Sequence, residues 1–170
     1  MIPLIFKKWL GIPHTCPNPK SIFVGLIGGV GDLISAAPSL VALKNKYPDV
    51  IWLVDAVSSM AGIKIDVNSL GIDFLLSSTQ KAWGLPAGFS ICSVSDKMIQ
   101  RSIETSNKGY FLDIMVYEKY YEKMQTPSTP SIAHMFGIKY ILEKIEAEGL
   151  ENRWNRHQEM AKNTRRWAID

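Results

Sequence analysis

The chain has 170 residues, 46% hydrophobic and 21% charged, with a net charge of +3, which fits one globular domain or a domain with a short extension. No concentrated basic face argues for nucleic acid, Cys16 and Cys92 form no metal or redox motif, and the short apolar start before Lys7 and Lys8 makes neither a secretory signal nor a membrane span. A soluble cytoplasmic protein in a reducing compartment is expected, with no membrane or nucleic-acid partner.

In chain order, residues 1–20 carry Pro3, Pro13, Pro17 and Pro19 and read as irregular or as a short helix and loop. Ser21–Ile27 reads as a buried strand, followed by the turn Gly28-Gly29-Val30-Gly31. Asp32 is placed to cap a helix reaching Lys46, with Pro38 arguing for a break or kink. Tyr47-Pro48-Asp49 reads as a turn and Val50–Val54 as a second strand, so residues 21–55 form a βαβ unit. A helical turn at Asp66–Leu70 and strands at Phe74–Ser77 and Phe89–Val94 follow. Helices are predicted over Ser95–Thr105 with Ser95 as cap, over Tyr110–Met124, and over Ser131–Glu148, where Met135, Ile138, Leu142 and Ile145 share a face and Gly149 stops the helix. A last polar helix covers 151–168. Its basic residues, Arg153, Arg156, Lys162, Arg165 and Arg166, read as a solvated face.

The chemistry concentrates at Lys81, in Ser77-Ser78-Thr79-Gln80-Lys81-Ala82-Trp83-Gly84-Leu85-Pro86, and at Asp55, which ends an apolar run 26 residues earlier. A lysine that forms a Schiff base with pyridoxal 5'-phosphate (PLP) needs a carboxylate to keep the pyridine nitrogen protonated. The spacing suits two neighbouring strands, each delivering its residue at a carboxyl end. Trp83 and Leu85 are expected to help desolvate the amine, which favours its neutral form. The plainer alternatives are an exposed loop lysine and a turn-forming aspartate.

Val54-Asp55-Ala56-Val57-Ser58-Ser59-Met60-Ala61-Gly62, Gly71-Ile72-Asp73 and the Lys81 segment together resemble the class V aminotransferases of PLP fold type I, nearest the serine–pyruvate and alanine–glyoxylate branch. The resemblance runs from about Tyr47 to the end. It implies an α/β fold: a partial, mostly parallel sheet with flanking helices, an incomplete large domain, and a helical C-terminal extension. It implies transamination between a small amino acid (alanine or serine) and a 2-oxo acid (glyoxylate or pyruvate), with PLP as cofactor. Lys81 is then the catalytic base and anchor, and Asp55 the partner of the ring nitrogen. Val57 packs on a ring face, and Ser78 and Gln80 bond the phosphate or phenolic oxygen. Gln125-Thr126-Pro127 is similar to the turn whose threonine reaches the partner subunit's phosphate, which makes Thr126 a ligand in trans and the enzyme a homodimer. Thr129 is the fallback. The plainer alternatives are core packing for Val57, loop polarity for Ser78 and Gln80, and helix punctuation for the prolines.

The chain also departs from that family. Neither the ring-stacking aromatic nor the carboxylate-gripping arginine can be placed, so weak cofactor binding and little turnover are expected. Residues 21–49, centred on Gly28-Gly29-Val30-Gly31-Asp32, resemble instead the opening of family 9 glycosyltransferases of the lipopolysaccharide heptosyltransferase type, with Asp32 matching the catalytic base. The expected organisation is therefore residues 1–49 of glycosyltransferase-like origin joined to a partial aminotransferase domain, 50–170. Two other readings stand beside transamination: a sugar transferase led by Asp32, and a non-catalytic remnant or interaction module exposing Tyr117, Tyr121 and Trp154.

Overall fold

The computed structural model describes residues 30–169. The strand expected at Ser21–Ile27 and the first half of the glycine turn lie outside them. The chain divides into two compact units, residues 1–50 and 51–170.

In the first unit, helix α1 spans Val30–Lys46. It begins ahead of Asp32, which therefore sits within the helix and does not cap it. Of the break or kink expected at Pro38, the break does not occur: the helix is continuous across it. A proline removes one intrahelical bond and crowds the preceding turn at a cost of roughly 3 kcal/mol, which the surrounding helix absorbs here. Lys44 and Lys46 sit in the last turn, where cations complement the helix dipole. Tyr47 N–H bonds to Leu43 O at 3.0 Å, and Val50 N–H to Tyr47 O at 3.2 Å, closing the predicted turn.

The second unit is built on three strands, β1 (Leu53–Asp55), β2 (Phe74–Ser78) and β3 (Ser90–Val94), in that spatial order. β1 and β2 are parallel, with Asp55 opposite Leu76. β2 and β3 are antiparallel, with Leu76 opposite Cys92. The α/β class holds, but the sheet is mixed rather than mostly parallel. The reason is the connection: residues 79–89 alone join β2 to β3, too few for the crossover of roughly a dozen or more residues that a parallel return needs.

Register sorts the side chains onto two faces, since successive residues alternate. Val54, Leu75, Ser77 and Ser93 share the inner face, where Leu75 and Ser77 are buried. Leu53, Asp55, Leu76 and Cys92 share the other, where Leu53, Asp55 and Cys92 are exposed. Helices α2 (Val67–Leu70), α3 (Asp96–Glu104), α4 (Ile114–Glu122), α5 (Ile132–Glu148) and α6 (Leu150–Ile169) complete the unit. The inner face meets Leu142 and Ile145 of α5 and Leu150 and Trp154 of α6 around a cavity of about 220 Å³. Of the apolar stripe predicted on α5, Ile145 is buried, whereas Met135 and Leu142 remain largely exposed.

Local signals explain most boundaries. Asp66 and Ser95 cap α2 and α3 through backbone N–H groups of Ser69 and Met98. Helix α4 starts later than predicted because Asp113 caps it, accepting from Met115 N–H at 3.0 Å and pairing with Lys108 at 2.9 Å. That pairing holds the Asp113 carboxyl below its ordinary range, first through the Lys108 hydrogen bond. Gly149 separates α5 from α6 with a φ of 80°, a conformation that costs little only without a Cβ.

Asp73 ties the sheet together at the amino end of β2. Its carboxylate accepts from Trp52 N–H and Ser95 Oγ–H, each at 2.9 Å, with Lys97 Nζ at 3.7 Å. Buried acceptors with donors on both oxygens are stable where an unpaired carboxylate would not be. Among the described residues, no helix is long and apolar enough to cross a membrane, and no cluster of ligating side chains could hold a metal ion.

Candidate functional site

Asp55 is the last residue of β1, and the Lys81 segment leaves β2 just after Ser78. Because β1 and β2 are parallel, both groups emerge at the carboxyl end of adjacent strands. Asp55 is exposed, and its Oδ1 accepts from Val57 N–H at 2.9 Å. That short-range bond orients the carboxylate and brings Val57, half-buried, beside it.

The Lys81 segment is a tight, internally bonded loop. Thr79 is fully buried at its start: its hydroxyl donates to Pro86 O at 2.7 Å, its N–H donates to Phe89 O at 3.1 Å, and its carbonyl accepts from Leu85 N–H at 3.0 Å. Gly84 N–H donates to Lys81 O at 2.9 Å. Trp83 turns inward, with its indole N–H bonded to the buried Ser77 hydroxyl at 3.0 Å. Leu85 lies against Gly137 of α5. His134 of α5 holds the far end: its Nε2 bonds to Ala87 O at 3.2 Å and its Nδ1 to Ser131 Oγ at 2.7 Å. Since a carbonyl only accepts, Nε2 carries a proton and donates to Ala87 O.

This geometry corrects one expectation. Lys81 is exposed, because Trp83 and Leu85 pack toward the sheet and α5 and not over the amine. Ser78 and Gln80 are brought together, with Ser78 Oγ–H donating to Gln80 Oε1 and a longer contact from Ser78 Oγ to Phe89 O at 3.3 Å. With the serine proton engaged, the exposed Gln80 keeps its carboxamide N–H₂ as a donor. Thr126 is exposed in the connection between α4 and α5, where Tyr110 Oη–H donates to Pro127 O at 3.0 Å. Among the described residues, no hydrogen bond joins Thr126 to the Lys81 segment. Thr129 lies exposed in the same connection.

Arg153, expected on a solvated face, is instead buried at 8% exposure. Its Nε donates to Ala61 O at 2.8 Å, one Nη to Ala82 O at 2.7 Å, and the other to Glu148 Oε2 at 3.1 Å. Arg156, Lys162, Arg165 and Arg166 are exposed, as expected. Tyr117 and Tyr121 are exposed, whereas Trp154 is half-buried, with Lys64 Nζ 5.9 Å from its ring centre.

Glu148 joins Arg153 to Arg156, with Arg156 Nε at 2.6 Å and its Nη at 3.1 Å. Hydrogen bonds from Arg156 first, then from Arg153, hold its carboxyl down at about 2 from an ordinary 4.5, against partial desolvation. A depressed folded-state value means the stabilisation is fully present above about 4.5 and is lost as pH falls through about 2. The urea midpoint should therefore drop with acidification across that window more steeply than in Glu148→Gln. Parallel profiles for the two proteins would contradict this.

The donor set fits PLP in its chemistry. A carboxylate and an amine share one end of the sheet, with a hydroxyl and a carboxamide at the terminus of β2 between them in sequence. Comparison with known proteins agrees with that assignment of fold. Residues 20–166 match the family model described as class V aminotransferase. The chain is 38% identical over 119 residues to an uncharacterized aminotransferase of Methanocaldococcus jannaschii, covering 69% of this chain and 31% of that protein. It is 37% identical over 139 residues to a serine–glyoxylate aminotransferase of Arabidopsis thaliana, covering 81% and 34%. Among solved structures, an alanine–glyoxylate aminotransferase from Nostoc sp. superposes with a TM-score of 0.67 at 23% identity, over 82% of this chain and 44% of that one. The chain thus spans about a third of the length of the curated relatives it matches.

Proposed function

Because the chain belongs to the class V aminotransferases, we propose that it carries the lysine-and-aspartate part of a PLP-dependent transamination centre. The substrates on this reading are a small amino acid, such as alanine or serine, and a 2-oxo acid, such as glyoxylate or pyruvate. The single observation that supports it best is the shared carboxyl end of β1 and β2, from which Asp55 and the Lys81 segment both emerge. The likeness to a serine–glyoxylate aminotransferase supports the substrate class.

Bound PLP supplies an electron sink for the substrate's α-carbon. Lys81 Nζ would hold the cofactor and would take and return the proton at that carbon. The Asp55 carboxylate, steadied by Val57 N–H, keeps the proton on the ring nitrogen. Val57 would hold one face of the ring. Gln80, with Ser78 orienting its carboxamide, donates to the phosphate or phenolic oxygen. Thr126 serves the phosphate of the neighbouring subunit in a homodimer.

On this reading PLP binding is weak and turnover small, since no described residue is assigned to stack on the ring or to grip the substrate carboxylate, and positioning is what converts binding into rate. Titration with PLP should give a weak visible band that depends on Lys81. A strong band with measurable alanine–glyoxylate exchange would overturn the weakness; a band indifferent to Lys81 would overturn the centre itself. For residues 21–49, the glycosyltransferase resemblance competes with a family match that begins at residue 20. Binding of a nucleotide-sugar donor would favour the former, and its absence the latter.

A further inference from the structure

We propose that Arg153 is a positioning residue that fixes the Lys81 segment against the segment leaving β1, and so sets the amine relative to the Asp55 carboxylate. The proposal rests on the transamination reading above for its consequence, though not for its geometry. Arg153 comes from α6, yet it bonds backbone carbonyls 92 and 71 residues earlier in the chain, those of Ala61 and Ala82. Ala82 directly follows Lys81, and Ala61 lies in the turns that follow β1. One planar guanidinium therefore spans both segments. A lysine, with a compact ammonium, cannot reproduce that fork.

Two further observations point the same way. Gly62 and Ala82 pack closely: a Cβ on Gly62 would lie 3.1 Å from Ala82 Cβ and 3.4 Å from the His157 ring of α6, so the two segments meet with no room for a larger side chain at position 62. Ala61 also adopts a φ of 70°, a conformation that non-glycine residues hold only when their surroundings enforce it. The Nε bond to its carbonyl is such an enforcement. Burying the guanidinium is tolerated because Glu148 pairs with the remaining Nη.

The test compares wild type, Arg153→Lys, Gly62→Ala and Arg156→Lys at a temperature well below each melt. Arg156 touches Glu148 without bridging the two segments and serves as the control. In ligand-free protein, amide hydrogen exchange at residues 60–63 and 80–85 should accelerate at least tenfold in Arg153→Lys and stay unchanged in Arg156→Lys. With PLP and borohydride, the ratio of label at Lys81 to label at other exposed lysines should fall at least tenfold in Arg153→Lys and several-fold in Gly62→Ala. General destabilisation would not move that ratio in folded protein. Wild-type exchange in Arg153→Lys, or an unchanged ratio there when wild type labels Lys81 selectively, would overturn the proposal. Failure of wild type itself to label Lys81 selectively would overturn the transamination reading, leaving exchange to decide the bridging role. If Arg153→Lys does not fold, Gly62→Ala decides alone, and an unchanged ratio there counts against it.

Discussion

Lys81→Ala is expected to abolish the selective covalent attachment of PLP while leaving the fold intact. The side chain is exposed, and its removal breaks none of the bonds that shape the loop, which run through the Lys81 backbone carbonyl, Thr79, Trp83 and Ala82. Surface substitutions of this kind shift stability by about 0.5 kcal/mol or less. The visible band on PLP addition should vanish, and the urea midpoint should stay within error of wild type. A band of undiminished amplitude would mean that some other lysine is responsible.

Trp83→Ala carries the largest expected structural effect. Trp83 is one of only four buried apolar side chains among the described residues, with Ala56, Leu75 and Ile145. Truncating a buried tryptophan costs about 3–5 kcal/mol, and here it also strips the buried Ser77 hydroxyl of its donor. Set against total stabilities of roughly 5–15 kcal/mol for ordinary domains, that loss should leave the second unit largely unfolded or with a much lower denaturation midpoint. Trp83→Phe, which keeps most of the volume and loses the indole bond, should cost about 1–2 kcal/mol. A shift below about 1 kcal/mol for the alanine variant would show that the inner face is held by other contacts.

These two residues sit two positions apart and play opposite parts, which explains what could be foreseen. The placement of Asp55 and Ser78 at strand ends, with Gln80 and Lys81 in the turn beyond, was legible because strand ends and turn residues form short continuous motifs. Caps at Ser95 and Asp66 were legible for the same reason. The direction in which Trp83 and Leu85 pack was not, because it depends on α5 lying against the loop, and that is a tertiary fact. The antiparallel return of β3 follows from the length of the connection after β2, whereas the resemblance implies a mostly parallel sheet. Helix α4 starts later than the apolar run Tyr110–Leu112 suggests because its cap is Asp113. Arg153 was hidden most completely. On the helix alone it is one basic residue among several, and only contacts far away in sequence distinguish it from Arg156.

The pairing of Asp55 with Lys81 is tested most directly by mapping where PLP becomes attached. Wild type and Asp55→Ala would be treated with PLP, reduced with borohydride, digested and analysed by peptide mass. The expected result is label at Lys81 in preference to other exposed lysines such as Lys64, Lys123 and Lys139, reduced at least tenfold when Asp55 is replaced. Label spread across those lysines, and indifferent to Asp55, would contradict a shared cofactor site.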